Sequence, residues 1–356
     1  MQFSLTTLAL VALSMDCALA QPAKHIHKHM HRRDLADVLR KRQNWNDPAL
    51  YAGVDWATVD YNESPSPKPA STPAPAPAPA PAKPEPAVAS QPAPAPIAAQ
   101  VKVAKSTSSG GKRGLAYNPT SPDLSIFESF GSQITWGYNW DSAPAGLPSQ
   151  FQYVPTLFST LSVHTTQWAA NVQAATSGSG TSYLMSFNEP DQPLPQADMS
   201  PGDAVAAWKQ YMAPYASDNV KLACPSVSNG VGTNSATGQP MGLAWLTSFL
   251  EQCSDCDISF VPVHWYGCGG GCDVQNDITA FKTDIGSAIT AAGGKPVWVT
   301  EFGTNSGDPT TFMNEILPWL DNEPGVERYA YFMVEDGVLT SGNSLSSLGS
   351  LYGTTS

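Results

Sequence analysis

Two glutamates stand where runs of strand-forming residues give way to loops. Glu189 closes YLMSFNE ahead of Pro190, and Glu301 lies at the end of KPVWVTEF ahead of Gly303. A strand-end acid taken alone is commonly a solvated group or an arginine's partner. After Arg113, however, the only lysines and arginines are Lys209, Lys221, Lys282, Lys295 and Arg328, so ion-pair partners are scarce. Two carboxylates facing one gap can cleave a glycosidic bond: one protonates the departing oxygen while the other attacks or stabilises the oxocarbenium-like centre. A third run, ISFVPVHWY, ends in His264, Trp265 and Tyr266.

Strand-end groups converge only when the strands lie parallel with their C-terminal ends on one face. From residue 113 onward, short apolar or β-branched runs alternate with longer amphipathic ones, the pattern of a parallel sheet covered by helices. Strands are expected at 113–118, 134–140, 153–158, 183–189, 221–228, 258–266, 295–302 and 326–334, and helices at 204–216, 243–252, 278–292 and 311–321. Eight strands and the length of 113–356 predict an α/β fold, a (β/α)8 TIM barrel. An open doubly wound sheet would normally carry GxGxxG after an early strand, and none is there; Gly269 to Gly271 read as a turn. In a barrel, strand C-terminal ends carry the catalytic groups.

With these residues in order, the chain resembles the clan A retaining glycoside hydrolases: Asn188-Glu189-Pro190 ends strand four, His264-Trp265-Tyr266 strand six and Glu301-Phe302-Gly303 strand seven. Within that clan RGLAYN, ITWGYNW, LMSFNEPD, VPVHWYG, WVTEFG and Gly342-Asn343-Ser344-Leu345 are similar to glycoside hydrolase family 128, fungal endo-β-1,3-glucanases. The resemblance covers essentially all of 113–356. It implies that Glu189 is the general acid/base and Glu301 the nucleophile, with carboxyls about 5 to 5.5 Å apart. It further implies that Asn188 donates to the sugar 2-hydroxyl, that Tyr266 orients Glu301 and that His264 shapes the same wall. Many clan members carry an Arg after strand two and a Trp after strand eight; here those regions read WGYNW (136–140) and YFMV (331–334).

Sugar rings pack their C–H faces on aromatic planes. Trp136, Tyr138, Trp140, Trp265, Tyr266 and Phe332 are near expected strand C-terminal ends and are candidate subsite walls, whereas Trp168, Trp208, Trp245 and Trp319 fall on helical patterns and belong to the core. Asp191 either binds sugar hydroxyls or caps a loop.

The net charge of −12 disfavours a nucleic-acid partner. The apolar run 3–14 followed by Ala18-Leu19-Ala20 reads as a secretory signal peptide, 1–20, so no membrane partner is expected after its removal. The basic, histidine-dotted segment 21–42, ending in Lys41-Arg42, reads as a propeptide, with metal binding by its alternating histidines the lesser alternative. Residues 43–112 read as a disordered Pro/Ala-rich linker with one N-glycosylation sequon, at Asn62. Removing Cys17 leaves Cys224, Cys253, Cys256, Cys268 and Cys272; in an exported chain disulfides are favoured over a four-thiolate zinc site, with the pairing open and Cys224 read as a buried hydrophobe. The expectation is a secreted monomeric hydrolase of β-1,3-glucan needing neither metal nor cofactor. A non-catalytic wall-binding barrel and a glucan transglycosylase are the alternatives.

Overall fold

The computed structural model describes residues 111–355 apart from 178–179, 218 and 268–272. The expected leader, propeptide and sequon, the linker up to residue 110, and Cys268 and Cys272, lie outside the described residues.

Six strands form one parallel sheet in the order β3-β2-β1-β8-β7-β6. They are β1 (Arg113–Ala116), β2 (Ile134–Tyr138), β3 (Gln152–Tyr153), β6 (Val261–Tyr266), β7 (Val297–Gly303) and β8 (Val326–Tyr331). The fourth and fifth expected strands are present as a short parallel pair, β4 (Tyr183–Leu184) with β5 (Lys221–Leu222). Isolated parallel bridges Thr156–Met185, Ala223–Phe260 and Val227–Val263 connect this pair to its neighbours. The molecule is thus an α/β fold with a six-stranded parallel sheet, and its third to fifth strands are shorter than their apolar runs suggest. Pro155 and Pro225 lie within those runs and have no amide hydrogen to give to a ladder.

Helices fill the connections: α1 (Ser162–Thr165), α2 (Trp168–Ser177), α3 (Pro201–Tyr211), α4 (Gly242–Gln252), α5 (Val274–Ala291), α6 (Pro309–Asn322) and α7 (Ser347–Thr354). The side chains of Ser200, Asp273, Asp308 and Ser346 accept from first-turn amides of α3, α5, α6 and α7, and Pro201 and Pro309 occupy first-turn positions where no amide hydrogen is needed.

Strand alternation splits the core in two. Leu115, Phe187, Leu222, Val263, Val299, Phe302 and Tyr329 pack toward the helices. Ala116, Trp136, Tyr138, Val154, Met185, Ala223, Phe260, Trp298 and Ala330 form a separate cluster with contributions from all eight strand runs. Gly114 is required beside Trp136, because a Cβ there would lie 2.3 Å from the indole ring. Near the strand N-terminal ends the Arg328 guanidinium lies 4.2 Å from the Tyr183 ring centroid and 4.6 Å from that of Trp298. Arg113, fully buried, ties β1 to the C-terminal segment through Asp321 at 2.6 Å, the Tyr329 hydroxyl at 2.8 Å and the Tyr352 carbonyl at 2.6 Å, which compensates its desolvation.

Candidate active site

The site is assembled where the runs after β2 and β4 meet the C-terminal ends of β6, β7 and β8. Asn188 bridges Ser226, and its amide donates to the Phe158 carbonyl at 2.9 Å. The Glu189 amide donates to the Ser226 carbonyl at 2.8 Å, with φ at 43°, in the left-handed region that a β-bearing side chain seldom adopts; such strain collects at functional positions. His264 and Glu301 are register partners between β6 and β7. Irregularities between Val263 and His264, and between Val299 and Phe302, shift the register at these positions, and bulges of this kind re-aim side chains beside active sites.

Glu189, His264 and Glu301 are buried, and each offers an oxygen or nitrogen within 4.8 Å of the others. His264 Nδ1 is 3.0 Å from Glu189 Oε1 and 3.5 Å from Glu301 Oε1. Both oxygens of Glu301 accept a hydrogen bond: Trp140 Nε1 donates to Oε1 at 2.7 Å and the Tyr266 hydroxyl donates to Oε2 at 2.6 Å. Trp140 follows β2 and Tyr266 ends β6, strands on opposite sides of β7 in the sheet order, so the carboxylate is held from both sides. The partly exposed Phe332 ring stands edge-on to Trp140 at 5.7 Å and to Tyr266 at 5.6 Å, forming an aromatic wall. Asn188 Nδ2 donates to Gln196 Oε1 at 2.9 Å.

Burial pushes the Glu189 carboxyl above the usual carboxylate range, with Glu301 and Asp191 adding to the rise and the His264 contact opposing it. Burial acts to lower the His264 imidazole, but the charge of Glu301, the hydrogen bond with Glu189 and the charge of Asp191 outweigh it and leave it raised. The pair therefore holds a proton more tightly than either group would in water. Tyr266 and Tyr138 are pushed well above the ordinary phenol, first by burial and then by Glu301, and remain neutral donors.

Several expected sugar contacts are placed differently. Trp136 is fully buried in the inner cluster, its Nε1 bonded to the Lys112 carbonyl at 3.0 Å, and it cannot be a subsite wall. Tyr138 lies one layer nearer the glutamates with its hydroxyl donating to the Thr300 carbonyl at 2.8 Å, so it supports the strand that carries Glu301. Trp265 points into the helix layer, stacked on Phe312 and donating to Asp284 at 2.9 Å. Its parity, opposite to that of His264 and Tyr266, was a readable signal for this. Asp191 is fully buried and accepts from the Ser228 hydroxyl at 2.5 Å, the Ser228 amide at 3.1 Å and the Gly242 amide at 2.9 Å, so its carboxylate holds the loop that leads into α4 and is not available to a sugar. Gln196 escaped the sequence reading because nothing in its flanking residues marks it. Trp140, a candidate wall on sequence, is in addition a donor to Glu301 through its indole N–H.

The Glu189, His264 and Glu301 atoms are also near enough to hold a metal ion. The four-thiolate zinc alternative is overturned, because Cys253 and Cys256 are joined as a disulfide; Cys224 is free and buried.

Residues 114–352 match the family described as the glycosyl hydrolase catalytic core. A curdlan-specific exo-β-1,3-glucanase from Blastomyces gilchristii, of glycoside hydrolase family 128 and crystallised with glucose, is 39% identical, covers 68% of this chain and 97% of its own, and superposes with a TM-score of 0.58. A mutant endo-β-1,3-glucanase of the same family from Amycolatopsis mediterranei, in complex with laminarihexaose, is 25% identical and covers 69% of this chain and 100% of its own, with a TM-score of 0.53. Alkali-sensitive linkage protein 1 of Schizosaccharomyces pombe is 30% identical over 268 residues, which are 69% of this chain but only 45% of that protein. On the family match over residues 114–352 and these relatives, the chain belongs to the glycosyl hydrolase catalytic core family, in the family 128 group.

Proposed function

We propose that this chain hydrolyses β-1,3-glucan with retention of configuration, using Glu189 as general acid/base and Glu301 as nucleophile. The observation that carries this reading is that one carboxyl oxygen of Glu189 and one of Glu301 lie within 4.8 Å of each other. Inverting enzymes need about 6.5–9.5 Å to admit a water between the carboxyls, whereas double displacement needs about 5–5.5 Å. A raised Glu189 supplies the proton to the departing glycosidic oxygen as a Glu301 oxygen bonds to the anomeric carbon. Glu189, now ionised, takes a proton from water, which attacks that carbon and releases Glu301. Trp140 and Tyr266 hold Glu301 in line for attack. Asn188 faces the 2-hydroxyl, where a hydrogen bond strengthens as charge develops at the anomeric carbon.

The polymer is inferred from the two family 128 relatives, an exo- and an endo-acting β-1,3-glucanase. The contacts of Glu189 and Glu301, neutral donors and one imidazole, suit an uncharged sugar. The isolated bridges and the inner cluster support reading the eight strands as a closed (β/α)8 barrel. The leader supports secretion, with the mature chain acting as a monomer.

The test is to incubate the protein with linear β-1,3-, β-1,4- and β-1,6-glucans and follow product anomers by NMR. Cleavage of the β-1,3-glucan with initial release of β-anomers is expected. The reading fails if all three polymers remain intact or if α-anomers appear first. Longer products at high oligosaccharide concentration would identify transglycosylation. Azide distinguishes the two glutamates: it should rescue Glu301→Ala as an α-glycosyl azide and Glu189→Ala as a β-glycosyl azide.

A further inference from the structure

Asn188 is held by more than its own strand. Its side chain is nearly buried, and its Nδ2 donates to Gln196 Oε1 at 2.9 Å, the one side-chain partner described for that amide. The loop between them folds back on itself. Ala197 N donates to the Asn188 carbonyl at 3.0 Å, Met199 N to the Pro190 carbonyl at 2.9 Å and Gln196 N to the Pro193 carbonyl at 3.1 Å. Gln196 therefore sits beside Asn188 because the residue following it is bonded to the Asn188 backbone.

A primary amide presents an acceptor at one end and two donors at the other, and a half-turn about the last torsion exchanges them. An asparagine free to flip would offer a sugar hydroxyl the wrong end part of the time. An acceptor fixed against one Nδ2 hydrogen stops that exchange and leaves the second hydrogen available to a ligand. We infer that Gln196 is a positioning residue for the 2-hydroxyl contact: its side-chain carbonyl locks the Asn188 amide with Nδ2 as the end that serves the sugar. The inference deepens the glucanase reading and rests on Asn188 facing the 2-hydroxyl. The interaction it protects is one that strengthens in the transition state, so its loss acts on kcat more than on KM.

The test compares Gln196→Met, which keeps the side-chain length and removes the acceptor, with Gln196→Glu, which keeps an acceptor oxygen. Each is made in the full chain, alone and with Asn188→Ala, and assayed on aryl β-laminaribiosides with and without the 2-hydroxyl on the ring at the cleavage point. Gln196→Met should lower kcat on the hydroxylated substrate about three- to tenfold, the worth of one neutral hydrogen bond. KM should stay within about twofold, and Gln196→Glu should recover most of the loss. The same Gln196→Met change should cost nothing further in the Asn188→Ala background or on the 2-deoxy substrate, because the contact it orients is already gone. An equal loss in both backgrounds, or on both substrates, would show a general effect on the loop and overturn the inference; so would wild-type kcat for Gln196→Met. Unchanged turnover in Asn188→Ala alone would instead overturn the role given to Asn188, while inactivity of the wild-type chain on every glucan would overturn the glucanase reading itself. Near-ultraviolet circular dichroism of each variant shows that a loss is not misfolding.

Discussion

Glu301 is oriented by two neutral side chains, one from the segment after β2 and one from the end of β6, and this sets what single substitutions should do. Trp140→Phe keeps an aromatic ring between Tyr138 and Phe332 but removes the Nε1 donor to Oε1. A hydrogen bond to a charged acceptor is worth about 1.5–3 kcal/mol, so kcat/KM on laminari-oligosaccharides should fall about 10- to 100-fold with the fold intact. Tyr266→Phe removes the donor to Oε2 and should act on the same scale, and a double variant less impaired than the product of the two would show that both serve one carboxylate. The pH profile tests His264. Glu189 must be protonated to act as the acid, so the alkaline limb of kcat/KM follows its raised ionisation. Since the His264 contact lowers the Glu189 value, His264→Gln should move that limb to higher pH, measured on an aryl glucoside whose leaving group needs protonation. A limb that stays in place or moves down would contradict the arrangement.

At the scale of elements, the strand N-terminal ends and their C-terminal ends do different work. Arg328, two residues into β8, is enclosed by Trp136, Tyr183 and Trp298, and its Nη2 donates to Gln152 at 2.7 Å. Arg328→Ala removes these contacts and leaves a void, which should cost about 2–4 kcal/mol by urea unfolding while kcat below the transition is unchanged. Helix α1 carries a second measurable feature. His164, buried against the Phe158 ring, is lowered to about 3 by burial. An unfolded histidine takes up its proton near pH 6.5, so between that value and about 3 the unfolded chain binds one more proton than the folded one. Stability should therefore fall through this window by about 1.4 kcal/mol per pH unit from this residue. His164→Leu should flatten the slope by that amount, whatever it does to stability at neutral pH.

For the whole molecule, the acidic composition and the placement of charge bear on where it works. Among the described residues no helix is long and apolar enough to cross a membrane. If the leader directs export as proposed, expression from its own Met1 in a yeast host should release protein whose mass begins at Gln21, or at Gln43 where the dibasic site is cut. Intact mass of the culture medium decides this, and retention of all product inside the cell would refute it. Light scattering on the purified chain should give the mass of one copy.

How much of this was legible beforehand follows from what strands must bury. Eight apolar runs could be located because strands covered by helices exclude charge, and Glu189 and Glu301 stood out because a carboxylate at the end of such a run needs a reason. The places of His264 and Tyr266 beside them came from the family resemblance. The lengths of β3 to β5 were not legible, since hydrogen bonding along those runs is interrupted and composition does not report it. Neither were α1 and α7, whose short or weakly patterned sequences carry little periodicity. The functions of the aromatic residues were decided in three dimensions: Trp136 and Trp140 share one apolar run, yet Trp136 fills the interior while Trp140, past the end of β2 with φ at 61°, reaches a carboxylate 161 residues away. Asp191 and Gln196 likewise take their meaning from Ser228, Gly242 and Asn188, partners that only chain folding brings near. Chemical type and strand position are local properties written along the chain, whereas the partner of a hydrogen bond is set by which distant segments pack together, and that is a property of the folded molecule alone.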